Sequence, residues 1–308
     1  MSIFIFPNIV TTNNQLIESQ QFSYNYKNSS YTYFKKGVLM IHTTLPITVN
    51  DHTATLSVYA LDNFTEFSAG RVRPAVVVCP GGGYRFTSKR EGEPIAIQLN
   101  AAGIQAFVLE YSCAPAEYPT ALLQLATAVK MVREHADEWH VDPNKIVVAG
   151  SSAGGHLAAH LGVEWAKDWL AERLHTTKEM IRPNGCLLSY PVITSGSFAH
   201  RDSFTAVLGT QYSEEMLEQL SLEKQVNVDM PPVFIWHTFT DESVPTENSL
   251  LFVQALREKN ISTEFHLYPI GTHGLSLATA ETDAGAGYSI CPACTGWVKL
   301  ATDWIYRL

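Results

Sequence analysis

Lys145-Ile-Val-Val-Ala-Gly-Ser-Ser-Ala-Gly-Gly-His-Leu157 decides how the rest of this chain is read. Its first half is a short apolar run bounded by Asn144 and Gly150, the pattern of a buried strand. Its second half passes through Gly150-Ser151-Ser152-Ala153-Gly154 into Leu157, Ala158, Ala159 and Leu161, which open a helix. A serine held between a strand end and a helix start in the spacing G-x-S-x-G is the nucleophile-elbow signature. The turn is so tight that side chains two positions before and two after the serine would collide. Gly150 and Gly154 remove those collisions and leave the Ser152 hydroxyl projecting. The helix N-terminus just beyond offers unpaired backbone N–H groups, that of Ala153 among them, to a developing negative charge. A glycine-rich turn with no chemistry has the same letters, so the flanking chain must separate the two readings.

Upstream, Pro74-Ala-Val-Val-Val-Cys79 is a continuous β-branched run, typical of a strand covered on both faces. It ends in Pro80-Gly-Gly-Gly-Tyr84, where three glycines let the backbone approach closely and aim N–H groups at an oxyanion. A helix over Pro94–Ala102 is capped by Gly103, and a strand follows from Ile104 to Tyr111. Pro119-Thr120 opens a long helix with Leu122, Leu125, Val129, Val132 and Ala136 on one face, and Asp142-Pro-Asn144 is a turn. Downstream, Gly185–Tyr190, Pro232–Thr238 and Thr263–Tyr268 are strands. Helices are expected over Pro245–Lys259, with Leu250, Leu251, Val253 and Leu256 apolar, and over Trp297–Trp304. Residues 1 to 70 carry no helical period. Strands at Gly37–Ile41 and Thr53–Leu61 suggest an antiparallel entry to the sheet.

Strands alternating with helices over 74 to 308 predict an α/β fold: a mostly parallel central sheet with helices on both faces and an antiparallel N-terminal part. Without repeats or linkers, residues 1–308 read as one domain. Residues 194 to 230, polar and weakly helical around Ser213 to Leu222, are the expected lid or pocket wall.

The formal charge of −9 argues against a nucleic-acid partner, which would demand clustered Lys and Arg. No run reaches membrane-spanning length, and Met1–Pro7 is too short for a signal peptide. The five cysteines fit free thiols and a cytoplasmic location. Cys291-Pro-Ala-Cys294 is a lone C-x-x-C, read as structural rather than zinc-binding. His156 and His160 share a helix face, but no glutamate completes a zinc motif, so they read as packing histidines.

In a parallel sheet functional residues gather beyond the C-terminal strand ends. Ser152, Asp241 and His273 all lie there. Asp241 directly follows a strand and is preferred as the acid over Glu242, Asp229 and Asp283. His273 lies in a glycine-flanked loop, whereas His237 and His266 fall inside strands.

Four stretches taken together are similar to the α/β-hydrolase superfamily, within its acetyl-esterase and xylan-esterase branch of hormone-sensitive-lipase-like enzymes. They are Pro80–Tyr84 with Arg90-Glu-Gly-Glu-Pro94, Gly150–Leu157, Asp241-Glu-Ser-Val-Pro245 and Gly271-Thr-His-Gly-Leu275. The order serine, acid, histidine is that of this superfamily. Two departures bear on pocket shape: Cys79-Pro80 stands where many relatives carry histidine before the glycines, and Ser151 is smaller than usual. The resemblance implies a serine carboxylesterase acting on short acyl, chiefly acetyl, esters of sugars or xylo-oligosaccharides. Ser152 would be the nucleophile, His273 the base, Asp241 its orienting acid, and Gly82, Gly83 and Ala153 the oxyanion hole. Tyr84 would line the alcohol-side pocket. No metal or cofactor is required, and the expected partner is a small ester. A small serine aminopeptidase, a non-catalytic receptor on the same fold, and self-association as a homo-oligomer are left open by the residues.

Overall fold

The structure is a computed structural model that describes residues 22–26, 29–33, 40–66 and 68–308. They fall into two units, Met1–Val38 and Leu39–Leu308. In the first, β1 (Phe22–Tyr26) pairs antiparallel with β2 (Ser29–Tyr33). Of the strand expected at Gly37–Ile41, residues 37 to 39 lie outside the described residues.

The larger unit is built on an eight-stranded sheet. Its strands are β3 (Met40–Val49), β4 (His52–Leu61), β5 (Arg73–Cys79), β6 (Gln105–Glu110), β7 (Val141–Ser151), β8 (Gly185–Ser189), β9 (Val233–Thr238) and β10 (Thr263–Tyr268). The spatial order is β10-β9-β8-β7-β5-β6-β4-β3. The six strands from β10 to β6 are parallel, and β4 and β3 continue the sheet antiparallel. After β5 the chain steps outward to β6 and then returns to the other side of β5 as β7. That reversal opens a crevice between the ends of β5 and β7.

Side-chain alternation along β5 explains why its residues from Pro74 to Cys79 are all apolar. Val76 and Val78 face one core, shared with Ile95 and Leu99 of α1 (Glu93–Ala101) and with Trp297 and Trp304 of α9 (Trp297–Arg307). Ala75, Val77 and Cys79 face the other core. There they join Leu125 and Val129 of α2 (Thr120–Glu134), Leu157 of α3 (Ala153–Glu164) and Phe252 of α8 (Glu247–Glu258). Each such valine or leucine, fully buried, contributes about 1.5–3 kcal/mol, which is why both faces must be covered. Between these elements lie the short helices α4 (Asp168–Arg173), α5 (Lys178–Ile181), α6 (Arg201–Leu208) and α7 (Glu214–Gln219).

Three expectations are corrected in detail. The α8 face is rotated: Phe252 and Leu256 are buried whereas Leu250 is exposed, because Asn248 and Ser249 turn inward to make hydrogen bonds. Helix α2 stops at Glu134, so Ala136 packs from the turn that follows. Strand β7 starts at Val141, earlier than Lys145. Asp142-Pro-Asn144 forms an Asx turn (Asn144 N–H to Asp142 Oδ1, 2.9 Å) inside a register shift against β5.

Residues 194 to 230 carry α6 and α7 and bury Phe204, Val207, Leu217 and Leu222 in the larger core. The Asn248 side chain ties this segment to α8. Its carbonyl oxygen accepts the N–H groups of Ile193 and Thr194, and its amide donates to the Phe198 carbonyl. Among the described residues no helix is long and apolar enough to cross a membrane.

The β7–α3 turn is closed by backbone contact. A Cβ on Gly150 would stand 2.0 Å from the Gly154 carbonyl oxygen, and one on Gly154 would stand 2.0 Å from that of Cys79. Neither neighbour is a flexible side chain that could swing away. Gly150→Ala is therefore expected to lower stability by about 3 kcal/mol or more, measured as a shift in the urea midpoint.

Candidate active site

Four loops leave the C-terminal ends of β5, β7, β9 and β10 and converge over the crevice. The β7 loop is the tightest. Ser152 sits at φ 54°, ψ −120°, a region that costs a non-glycine residue about 1–3 kcal/mol. Three backbone bonds hold it there. Ser152 N–H donates to Ser189 O (3.0 Å), and Ser152 O accepts from the N–H groups of His156 and Val192 (both 3.1 Å).

Past β9, Asp241 is buried, and its Oδ1 accepts the N–H groups of Ser243 (3.0 Å) and Val244 (2.9 Å). Those bonds fix the carboxyl so that Oδ2 faces the β10 loop. His273 Nδ1 lies 2.6 Å from Oδ2, and His273 Nε2 lies 2.7 Å from Ser152 Oγ. With Nδ1–H donated to the carboxylate, Nε2 is left to accept the serine proton. The structure thus brings Ser152, Asp241 and His273 into one chain of hydrogen bonds from three separate loops. The competing acids lie elsewhere: Glu242 is exposed beside the site, and Asp283 accepts the N–H groups of Gly287 and Ser289 in its own loop.

Burial by itself would raise the Asp241 carboxyl. Hydrogen bonds from His237 and His273, the charge of His273, and the Val244 N–H outweigh that and hold it well below the usual carboxylate range. His237, assigned from sequence to the strand core, is fully buried on β9, and its Nε2 lies 3.2 Å from Asp241 Oδ2 and 3.0 Å from the Val244 carbonyl. Since a carbonyl only accepts, Nε2 carries the proton, and Nδ1 faces Ser249 Oγ at 2.7 Å. The sequence signal was present but unread: a histidine four positions before the acid, on the strand that delivers it.

Gly82 and Gly83 have φ 130° and 64°, values that suit glycine, and a Cβ on Gly82 would stand 2.1 Å from Phe86 O. Neither N–H bonds to an acceptor among the described residues, whereas Gly81 N–H is taken by Glu91 Oε2 at 2.9 Å. The Ala153 N–H opens α3 and has no partner within its helix. Tyr84 is placed differently from the expected pocket residue. It is 3% exposed and its hydroxyl donates to His156 Nδ1 (2.8 Å), because its positive φ of 58° turns the side chain down into the core. His156 and His160 are buried packing residues, pushed by that burial down to about 3. Cys291 and Cys294 are buried free thiols. Among the described residues no cluster of three His, Cys, Asp or Glu could hold a metal.

An open groove of about 460 Å³ borders His273, walled by Thr240, Glu242, Ile270, Thr272, Tyr288 and Ile290. On another side stands the segment 194–230. A Cβ on Gly83 would lie 3.8 Å from Ser203 Oγ. Half-buried His200 is lowered first by desolvation and then by the nearby charge of His273.

A crevice at the strand reversal, with serine, acid and histidine delivered in chain order by the loops past β7, β9 and β10, defines the α/β-hydrolase fold. The chain belongs to the BD-FAE family, whose profile matches residues 61–256. It is 40% identical over 219 residues, 69% of this chain, to an endo-1,4-β-xylanase B of Butyrivibrio fibrisolvens. It is 29% identical over 211 residues, 67% of this chain, to an acetylxylan esterase of Xylanibacter ruminicola. It spans only 34% and 42% of the length of those two relatives. Among solved structures, an acetyl ester-xyloside bifunctional hydrolase from Caldicellulosiruptor lactoaceticus superposes with a TM-score of 0.75 at 34% identity. That match covers 88% of this chain and 98% of the other.

The depressed Asp241 carboxyl sets a sign for acid stability. Its unfolded value lies near 3.9, so its contribution is fully present above about pH 5 and is lost as pH falls from there toward the folded value. Asp241→Asn should show a shallower loss of stability between pH 5 and pH 3 than the wild type, measured by urea titration at each pH.

Proposed function

We propose that this chain is a serine carboxylesterase that removes short acyl groups, chiefly acetyl, from sugars or xylo-oligosaccharides. The observation that carries the reading is the continuous contact from Ser152 Oγ through His273 to Asp241, at 2.7 and 2.6 Å. In the first step Ser152 Oγ attacks the ester carbonyl while His273 Nε2 takes its proton. Asp241 holds the imidazole tautomer and stabilises the imidazolium. The N–H groups of Gly82, Gly83 and Ala153 are disposed to receive the oxyanion, each such donor being worth about 10²–10³ in rate. His273 then returns the proton to the departing alcohol. In the second step it activates water, which releases the acid and restores Ser152.

The groove beside His273 suits the departing alcohol, because apolar Ile270, Tyr288 and Ile290 line it together with polar Thr240 and Glu242. The segment 194–230 is assigned as the opposite wall of this single α/β domain. A sugar alcohol is supported by the names of relatives and neighbours, a xylanase, an acetylxylan esterase and a xyloside hydrolase. The reaction needs only the ester and water.

A fluorophosphonate probe should label the folded protein and fail on Ser152→Ala, with kcat on p-nitrophenyl acetate falling about 10⁴–10⁶-fold. Acetate should be turned over far faster than octanoate, and acetylated xylo-oligosaccharides should be deacetylated. Folded wild-type protein left unlabelled would overturn the reading.

A further inference from the structure

The short turn Lys89–Glu91, which leads into α1, takes no part in the chemistry above, yet it bonds to residues that follow β5, β8 and β10. Glu91 is 3% exposed and both its carboxyl oxygens are used. Oε2 accepts Gly81 N–H at 2.9 Å. Oε1 accepts the Tyr190 hydroxyl at 2.7 Å. The same hydroxyl accepts the Ser276 N–H at 2.9 Å, three residues past His273. The Tyr190 ring stands edge-on to the His273 imidazole, 5.2 Å between centroids and 72° between planes.

Gly81 is itself wedged. A Cβ there would lie 2.6 Å from Glu91 Oε2, 2.9 Å from Ser151 O and 3.0 Å from Ser152 Cβ. The peptide before Gly82 is therefore pinned between the nucleophile loop and one carboxyl oxygen. Neighbouring Arg90 reinforces the far side, donating to the carbonyls of Gly274 (3.0 Å) and Thr282 (2.6 Å), while Ser276 Oγ donates to Arg90 O (2.6 Å).

Resting on the esterase reading, we infer that Glu91 is a positioning residue that aims the Gly82 and Gly83 N–H groups at the oxyanion and, through Tyr190, seats the His273 imidazole. It touches neither substrate nor reacting atoms. One oxygen fixes the first glycine of the loop, leaving the next two N–H groups turned toward the crevice, and the other oxygen fixes the wall against which the imidazole rests. Because the two loops share one carboxyl group, their separation is set by a single rigid side chain. Misplacements of this kind of about 1 Å cost on the order of 10²-fold in rate.

The test compares Glu91→Gln, Glu91→Ala and Tyr190→Phe with the wild type, using p-nitrophenyl acetate, thermal unfolding and the pH profile of kcat/KM. Glutamine keeps the shape and one acceptor, so Glu91→Gln should lose about 10-fold in kcat and Glu91→Ala about 100-fold. KM should stay within about threefold in both, because the oxyanion contacts form only in the transition state. Tyr190→Phe keeps the Gly81 bond and should lose less than Glu91→Ala. The pH profile of Glu91→Gln should keep the wild-type limb, since neither of its bonds reaches the imidazole. Folded Glu91→Gln and Tyr190→Phe with kcat within twofold of wild type would overturn the inference, even where Glu91→Ala does not fold. A wild type inert toward every ester would instead overturn the esterase reading, and this inference with it.

Discussion

The arrangement at the crevice depends on backbone touching backbone. The first turn of α3 lies so close to the ends of β5 and β7 that Gly150 and Gly154 leave no room for a methyl group. This contact locks the strand-to-helix junction onto the neighbouring strand as well as onto itself, since the carbonyl that excludes a side chain at 154 belongs to Cys79. The glycine loop begins two residues after Cys79. Ser152 and the start of the glycine loop are therefore joined by main-chain contact, and the Glu91 carboxyl bonded to Gly81 fixes the direction in which that loop continues.

Around that rigid piece the polar groups are buried and paired. Asp241 receives two backbone N–H groups and two imidazoles, and Glu91 receives one N–H and one hydroxyl. A buried carboxyl with fewer partners would be costly. Each residue satisfied in this way becomes a fixed point from which a loop can be hung. Both carboxyl groups bear on His273, one bonded to its Nδ1 and the other reaching it through Tyr190.

The sheet was legible in the sequence because its central strands are covered on both faces. Pro74–Cys79 and Pro232–Trp236 advertise themselves as unbroken apolar runs. The candidate serine, acid and histidine were legible because each lies in the loop just past a strand's C-terminal end. Less could be read where the partner is distant along the chain. Tyr84 looked like a pocket residue until its φ turned it toward His156. The face of α8 could not be read from apolar spacing, since Asn248 and Ser249 point inward toward partners at Ile193 and His237. Nothing local marked Glu91 as bound to Gly81 and Tyr190, the latter 99 positions away. Pairwise polar contacts across loops leave no period in a sequence.

Ser152 pays a conformational penalty that a glycine would escape, and its φ of 54° and ψ of −120° are enforced by neighbours on every side. On the proposed chemistry, reactivity and robustness consequently pull in opposite directions at this one position. A chain selected only for heat resistance would drift there toward the residue without a side chain, and would gain firmness while losing its hydroxyl. The fold tolerates the discomfort because the large apolar cores on either side of the sheet leave a margin from which one awkward residue can be carried.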